Sequence, residues 1–404
     1  MAARPDRLTA APLPRVFLLP GHDKRVGHGH PWAYSNEIRM DAAAKAIAPG
    51  ACAHLLRVDG KPVGIGTFNP KTLIAFRVFT HDMGATLDRA FIAQRLRAAL
   101  ALRQRLCAKP FYRLVHAEAD GLPGLIVDRL GDVCVLQAGT AGIETLMPEI
   151  LAALDEVLAP KAVVLANDSP HRTLEGLETY TRHASKARTG VVEIEENGLV
   201  FFADPLAGQK TGWFFDQRDN RAFVSHLAKG ADSVLDLYAY TGGFAVQAAA
   251  GAKRVLAVDS SAPALDLAQK AAERNGVAGV CEFRKQEVFS ALDALAAGSE
   301  RFDAVIADPP PFARSKKDVP TALKGYRKLA RTAAALVKPG GFMFIASCSH
   351  NVTADAFALE VAGGISRAGR TGRILRAAGA GADHPVHPLL PETAYLKTLT
   401  LQLD

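Results

Sequence analysis

The sequence predicts an α/β protein in three parts. A large domain built on a mostly parallel seven-stranded sheet follows a small β-barrel and a central α+β module. The 404 residues exceed what a single core usually fills, about 250–300 residues. From about residue 190 onward, strands alternate with helical patterns, which requires a parallel sheet covered on both faces. Ahead of that point, short strands and turns come first, then a helix with a hairpin. The expected boundaries are 1–82, 83–188 and 189–404.

In the first part, residues 16–19, 52–58, 63–68 and 73–79 have strand composition. Pro20-Gly21, Asp59-Gly60 and Asn69-Pro70 mark turns, and Asp59-Gly60 suits a tight hairpin. In the second part, Leu87 to Cys107 reads as a helix with Leu87, Phe91, Leu96, Leu100 and Leu106 on its apolar stripe. Arg89, Arg95, Arg97, Arg103 and Arg105 line the other side and read as a solvated face. A hairpin over 125–137, a helix near 144–158 and a strand at 162–165 follow. In the third part, strands are expected at 233–238, 254–259, 281–284, 303–308 and 341–347. Helices are expected at 243–250, 262–275, 287–297, 322–337 and 353–369. Two late strands, near 373–378 and 394–402, have no helix between them and so predict an antiparallel edge hairpin.

Composition excludes several classes. No apolar run reaches the length of a membrane span. Arg4, Asp6, Arg7 and Arg15 interrupt the first twenty residues, so no secretory signal is expected. Cys52, Cys107, Cys134, Cys281 and Cys348 lie far apart without a CxxC, which argues against a metal site or disulfide framework and for a reducing cytoplasm. The net charge of +7 is uneven: residues 1–80 hold eleven Lys/Arg against five Asp/Glu. A basic amino end suggests a polyanion partner such as nucleic acid.

The third part carries a cofactor signal. Val234-Leu-Asp-Leu-Tyr-Ala-Tyr-Thr-Gly-Gly243 is a strand running into a glycine turn that opens a helix. In an open α/β sheet, ligands bind beyond the carboxyl ends of the strands. Asp259 ends the next strand, where a carboxylate accepts both hydroxyls of a ribose. A dinucleotide fold wants GxGxxG, and here Tyr238 and Tyr240 occupy the first two glycine positions. Asp236 in the first strand would repel a pyrophosphate but suits a cationic amino-acid group. S-adenosylmethionine has that ammonium, a sulfonium, a ribose and no phosphate. Tyr238, Thr241, Gly242 and Ser260 join Asp236 and Asp259 as expected cofactor contacts. Glu287 either accepts a hydrogen bond from the adenine amine or caps the next helix.

Two further segments carry chemistry. In Asp308-Pro-Pro-Pro-Phe312 the prolines stiffen a loop and hold Asp308 at the cleft mouth, beside both cofactor and substrate. Phe312 is either an aromatic that stacks on a base or a buried side chain of a proline-rich loop. Enzymes that methylate exocyclic amines carry an aromatic directly after Asp/Asn-Pro-Pro; here Pro311 takes that place, which weakens an amine-methylating reading. In Ser347-Cys-Ser349, Cys348 follows the fifth strand. A thiolate adding to carbon 6 of a pyrimidine makes carbon 5 nucleophilic, so Cys348 suits carbon methylation by covalent catalysis. Asp308, when protonated, could donate to ring nitrogen 3 as the adduct forms. His350 is a weak candidate for the base that removes the carbon 5 proton.

These segments resemble the bacterial large-subunit ribosomal RNA cytosine-5 methyltransferases of class I type, the methyltransferase I family. Residues 24–38, beginning Lys24-Arg-Val-Gly-His-Gly-His-Pro-Trp32, look like that family's PUA-type RNA-binding barrel, which implies RNA contacts for Lys24 and Arg25. Residues 120–132 are similar to its central module, and Lys210-Thr-Gly-Trp-Phe-Phe-Asp-Gln-Arg-Asp-Asn-Arg221 to the stretch before the cofactor strand. The resemblance implies a Rossmann-like class I domain and roles for Gln217 and Arg218 in closing the cofactor or substrate site. Glu287 stands where an Asp is usual, and Pro311 where Lys is common. The expected function is transfer of a methyl group from S-adenosylmethionine to cytosine carbon 5 in 23S ribosomal RNA, in the cytoplasm, with a homodimer allowed for. The alternatives are N-methylation of RNA without an adduct, and a non-catalytic RNA-binding assembly factor.

Overall fold

The computed structural model describes residues 12–185, 187–208 and 211–404; Lys210, which begins one of the motifs above, lies outside them. The amino-terminal part is a five-stranded sheet, Arg15–Phe17, Ala51–Leu56, Pro62–Phe68, Ile74–Thr80 and Trp32–Tyr34 in spatial order. An antiparallel bridge between Leu18 and Ile38 joins its two edges, so the sheet closes on itself around Val16, Leu55, Phe68 and Phe76.

The central part is a second five-stranded sheet packed on the helices Arg89–Leu106 and Met147–Leu158. The helix face expected to meet solvent does so only in part. Arg103 is fully buried, donating to both Asp120 oxygens at 2.5 and 2.7 Å and to the carbonyls of Arg113 and Asp383. A buried guanidinium requires such partners. Asp120 and Asp383 are remote in sequence, so helix periodicity alone could not reveal them.

The last part is the domain that positions the site. Its strands are β1 (Val234–Leu237), β2 (Val255–Asp259), β3 (Cys281–Lys285), β4 (Phe302–Ala307), β5 (Val337–Ser347), β6 (Gly372–Ala378) and β7 (Lys397–Leu403). The sheet order is β3-β2-β1-β4-β5-β7-β6. The first five strands are parallel, while β7 runs antiparallel to both β5 and β6. The expected α/β architecture and edge hairpin are therefore borne out. Helices α1 (Arg218–Leu227), α2 (Gly243–Ala249), α3 (Ala262–Arg274), α4 (Val288–Ala297), α5 (Val319–Ala335) and α6 (Ala354–Arg367) belong to this domain. Two apolar cores, one on each sheet face, bury Leu235, Leu256 and Val305 on one side and Val234, Ala257 and Ile306 on the other. This alternation is what a parallel strand covered on both sides needs. An antiparallel hairpin, Val192–Glu196 with Leu199–Ala203, precedes the domain and packs on α3.

The parts are tied by polar contacts. Trp32 Nε1 donates to Glu118 at 2.8 Å, and Arg77 pairs with both Glu118 and Glu175, joining barrel to central sheet. Arg113 donates its backbone N–H to Asp383, and Arg218 donates to Cys107 Sγ at 3.0 Å and to the Phe111 carbonyl, joining the central sheet to the last domain.

Candidate active site

Two chambers open at the carboxyl ends of β1, β4 and β5, where the topology predicts a ligand. The first, about 200 Å³, lies over the turn after β1 and is lined by Tyr238, Thr241, Asp259, Ser260 and Asp308 among others. The second, about 950 Å³, lies between the central sheet and the last domain, against His116, His171, Arg314, His350 and Tyr395. Cys348 and Pro311 line both, so the two spaces meet at the thiol.

The first chamber is shaped by its backbone. Tyr238, Tyr240 and Gly242 have φ of 64°, 49° and 79°. Left-handed tyrosines are costly and persist where the surroundings hold them, commonly at functional sites. The hold is visible: Asp259 accepts from Tyr240 N and Ser261 N, both at 2.8 Å. A Cβ on Gly242 would lie 2.9 Å from Ala268 Cβ, so this glycine serves helix packing as well as the turn.

The residues present fit a polar ligand that carries both charges, with Asp259 and Asp308 on the wall beside Arg221. Thr241 Oγ1 and Arg221 Nε are buried at this chamber without a hydrogen-bond partner among the described residues. Asp236 is equally unmet but does not line the chamber; it sits behind the wall, 1% exposed. Burial, then the Asp308 charge, pushes its carboxyl well above the usual range, so direct contact with a cationic group is not what its position offers.

Other expected residues are placed unevenly. Gln217 Nε2 donates to Asp308 Oδ2 at 2.9 Å and is itself held by Asn220 at 2.7 Å, bringing the two predicted side chains together. Arg218 turns away from the chamber toward Cys107, the Phe111 carbonyl and Asp383. Arg221 lines the chamber instead, fixed by Glu196 at 2.8 Å and by stacking over Trp213. Glu287 is exposed, lines neither chamber and caps α4 by accepting from Ser290 N. Phe312 also lines neither; it stacks on Tyr326 at 4.6 Å, with Gly325 beneath it, so the base-stacking expectation has no support in its placement. Lys24 is exposed on the barrel, far in sequence from the chambers, and Arg25 is engaged by Glu37 at 2.6 Å.

Cys348 is presented by its neighbours. Ser347 and Ser349 are fully buried, and both hydroxyls lie 2.9 Å from the Tyr326 hydroxyl on α5. Ser349 Oγ also accepts from Ala313 N, which fixes the proline loop to the end of β5. With the flanking serines pinned inward, the half-buried cysteine faces the cleft, its Sγ 3.8 Å from the Pro309 carbonyl. The Ser-Cys-Ser pattern thus has a mechanical meaning that composition alone hid.

A model described as S-adenosylmethionine-dependent methyltransferase matches residues 176–370, and one described as PUA-like domain matches residues 16–81. The ribosomal RNA large subunit methyltransferase I of Cronobacter sakazakii is 35% identical over 95% of this chain and 98% of that protein. The protein of that name from Klebsiella pneumoniae strain 342 is 34% identical over 96% and 98%. The chain belongs to the ribosomal RNA large subunit methyltransferase I family. It is an S-adenosylmethionine-dependent methyltransferase with an amino-terminal PUA-like domain, and S-adenosylmethionine is its cofactor. The fold has a solved counterpart in a methyltransferase complexed with SAH, with a TM-score of 0.82 at 20% identity over 96% of this chain and 100% of that one. A Streptococcus mutans protein described as a SAM-dependent methyltransferase gives a TM-score of 0.80 at 20% identity, over the same 96% and 100%. The comparisons lend no support to the homodimer.

Proposed function

We propose that this protein methylates carbon 5 of a cytosine in the RNA of the large ribosomal subunit, through a covalent adduct with Cys348. The observation that carries the reading is Cys348 on the wall shared by both chambers. A thiol there reaches a base in the larger space while its carbon 5 faces the smaller one.

In the first chamber, Asp259 would accept from ribose hydroxyls, and Thr241 and Arg221 would supply donors to the methionine carboxylate. Gly242 shapes the turn, and Tyr238 and Ser260 supply further wall. When bound, the cofactor supplies an electrophilic methyl group on sulfur. A cation nearby favours the ionised form of Asp236, whose burial otherwise favours the neutral one. In the second chamber, the Cys348 thiolate adds to carbon 6 of the base, and the electron pair moves onto carbon 5. After carbon 5 is methylated, its proton leaves to a base and the carbon–sulfur bond breaks, returning the thiolate and the aromatic ring. Asp308, held by Gln217, is within the same wall and bears on the base and the cofactor together.

Two features favour RNA. Among the described residues, Arg15, Lys24, Lys45 and Lys71 of the barrel are exposed and make no ion pair, so they remain available to phosphates. Arg314, exposed on the second chamber, supplies a cation close to where Pro311 has none. The reaction belongs to the cytoplasm, where that RNA is assembled into subunits. Among the described residues no helix is long and apolar enough to cross a membrane.

The test is incubation with labelled S-adenosylmethionine and unmodified 23S RNA, followed by nucleoside analysis. Labelled 5-methylcytidine is expected. Labelled N-methylated bases would overturn the carbon chemistry, and cofactor binding without incorporation would indicate an assembly factor.

A further inference from the structure

We propose that Lys397 is the positioning cation that holds Cys348 as a thiolate, a role that rests on Cys348 being the nucleophile. Lys397 begins β7 and pairs across the sheet with Ser347, the residue before Cys348. Its Nζ donates to the Ser349 carbonyl at 2.7 Å and the Tyr395 carbonyl at 2.8 Å, so the ammonium spans the turn that carries the thiol. An ammonium has three N–H bonds. Two are spent on these carbonyls, and the third has no partner among the described residues.

The carbonyl and carboxylate beside the thiol give such a cation a task. Cys348 Sγ lies 3.8 Å from the Pro309 carbonyl, and Asp308 precedes that proline on the same wall. A carbonyl oxygen and a carboxylate both disfavour a second negative charge. Among the described residues, other titratable groups around the thiol are Tyr326 from α5, His350 beside it, and Tyr395 before β7, with His116 across the second chamber. Arg113 is committed to Asp128 at 2.5 Å, and Arg314 is exposed. Lys397 is half-buried, cationic and bonded to the backbone on the far side of Cys348. It forms no ion pair with a carboxylate among the described residues. Burial lowers its proton affinity, and the Cys348 charge raises it. The coupling is mutual, so the ammonium favours the thiolate by the same interaction.

The test reads the thiol directly. The rate of Cys348 alkylation by iodoacetamide is followed by peptide mass spectrometry from pH 5 to 10, without RNA. Wild type, Lys397→Arg, Lys397→Gln and Lys397→Met are compared, with thermal melting to confirm folding. Lys397→Gln retains donors for the two carbonyls but no charge, so it separates anchoring from electrostatics. The alkylation midpoint is expected to rise by about one unit in Lys397→Gln and Lys397→Met, a roughly tenfold lower rate at neutral pH. Lys397→Arg should keep the wild-type midpoint. An unchanged midpoint in folded Lys397→Gln overturns the proposal. Because no methyl transfer is measured, this outcome is distinct from failure of the carbon-methylation reading, which shows as an active Cys348→Ala enzyme.

Discussion

Cys348 and Asp259 show how single side chains acquire roles from their neighbours. Cys348 faces the cleft because Ser347 and Ser349 are bonded to Tyr326. Tyr326→Phe removes the common hydroxyl and leaves two buried serines short of a partner. A loss of about 1–3 kcal/mol is expected from urea denaturation, with slower Cys348 alkylation as the turn loosens. Asp259 spends one lone pair of each oxygen on Tyr240 N and Ser261 N, leaving the others for a ribose. Asp259→Ala should weaken S-adenosylhomocysteine binding about tenfold or more, measured by calorimetry, while the fold persists. Wild-type affinity in that variant would remove Asp259 from the site. The sequence exposed these residues through their positions at strand ends. It did not expose Arg221, whose role depends on Glu196 and Trp213, nor Tyr395, which approaches from the last segment. Arg218 and Glu287 show the converse: the family resemblance implied a site role for the first and position after a strand a cofactor contact for the second, but nearer partners hold both.

At the scale of elements, the parallel strands were legible because apolar runs on both faces leave few other readings. Among the elements not foreseen are the strand Phe111–His116, the hairpin over 192–203 and α1. The first carries Arg113 at its centre, buried only because Asp128 on the adjacent strand accepts from it at 2.5 Å. The buried side of α1 is Asn220, Arg221 and Val224, two of them polar and paired with distant residues. Hydrophobic periodicity cannot report a helix whose inner face is polar. The turn from β1 to α2 gives the sharpest test at this scale. Gly242→Ala places a Cβ 2.9 Å from Ala268 at φ 79°. The left-handed penalty alone is about 1–2 kcal/mol. Urea denaturation should show at least that loss, and unchanged stability would mean that the turn relaxes freely.

For the whole molecule, the junction between the central sheet and the last domain decides whether the second chamber exists. His116 sits there, its ring 5.1 Å from that of His384, which accompanies Asp383. Burial, then the Arg113 and His384 charges, pushes the His116 imidazole down to about 2 from an ordinary 6.5. The folded protein therefore keeps it neutral while the unfolded chain protonates it. This contribution is fully present above pH 6.5 and is lost as pH falls toward 2. At Asp383, burial would raise the carboxyl, but the His384 hydrogen bond and the Arg218 charge outweigh it and hold it low. That contribution is present above the ordinary carboxylate range and is lost at still lower pH. Stability measured by urea denaturation should fall by up to about 1.4 kcal/mol per unit below pH 6, and His116→Gln should flatten that limb. Equal slopes in both proteins would show that the junction does not bury a neutral imidazole.

The central claim is a covalent bond between Cys348 and carbon 6 of a cytosine. It is tested most directly by incubating the protein and S-adenosylmethionine with RNA containing 5-fluorocytosine, which blocks loss of the carbon 5 substituent. A protein–RNA adduct that survives denaturing electrophoresis, maps to Cys348 and is absent from folded Cys348→Ala is expected. No adduct with wild type, alongside undiminished methyl transfer by Cys348→Ala, would contradict it.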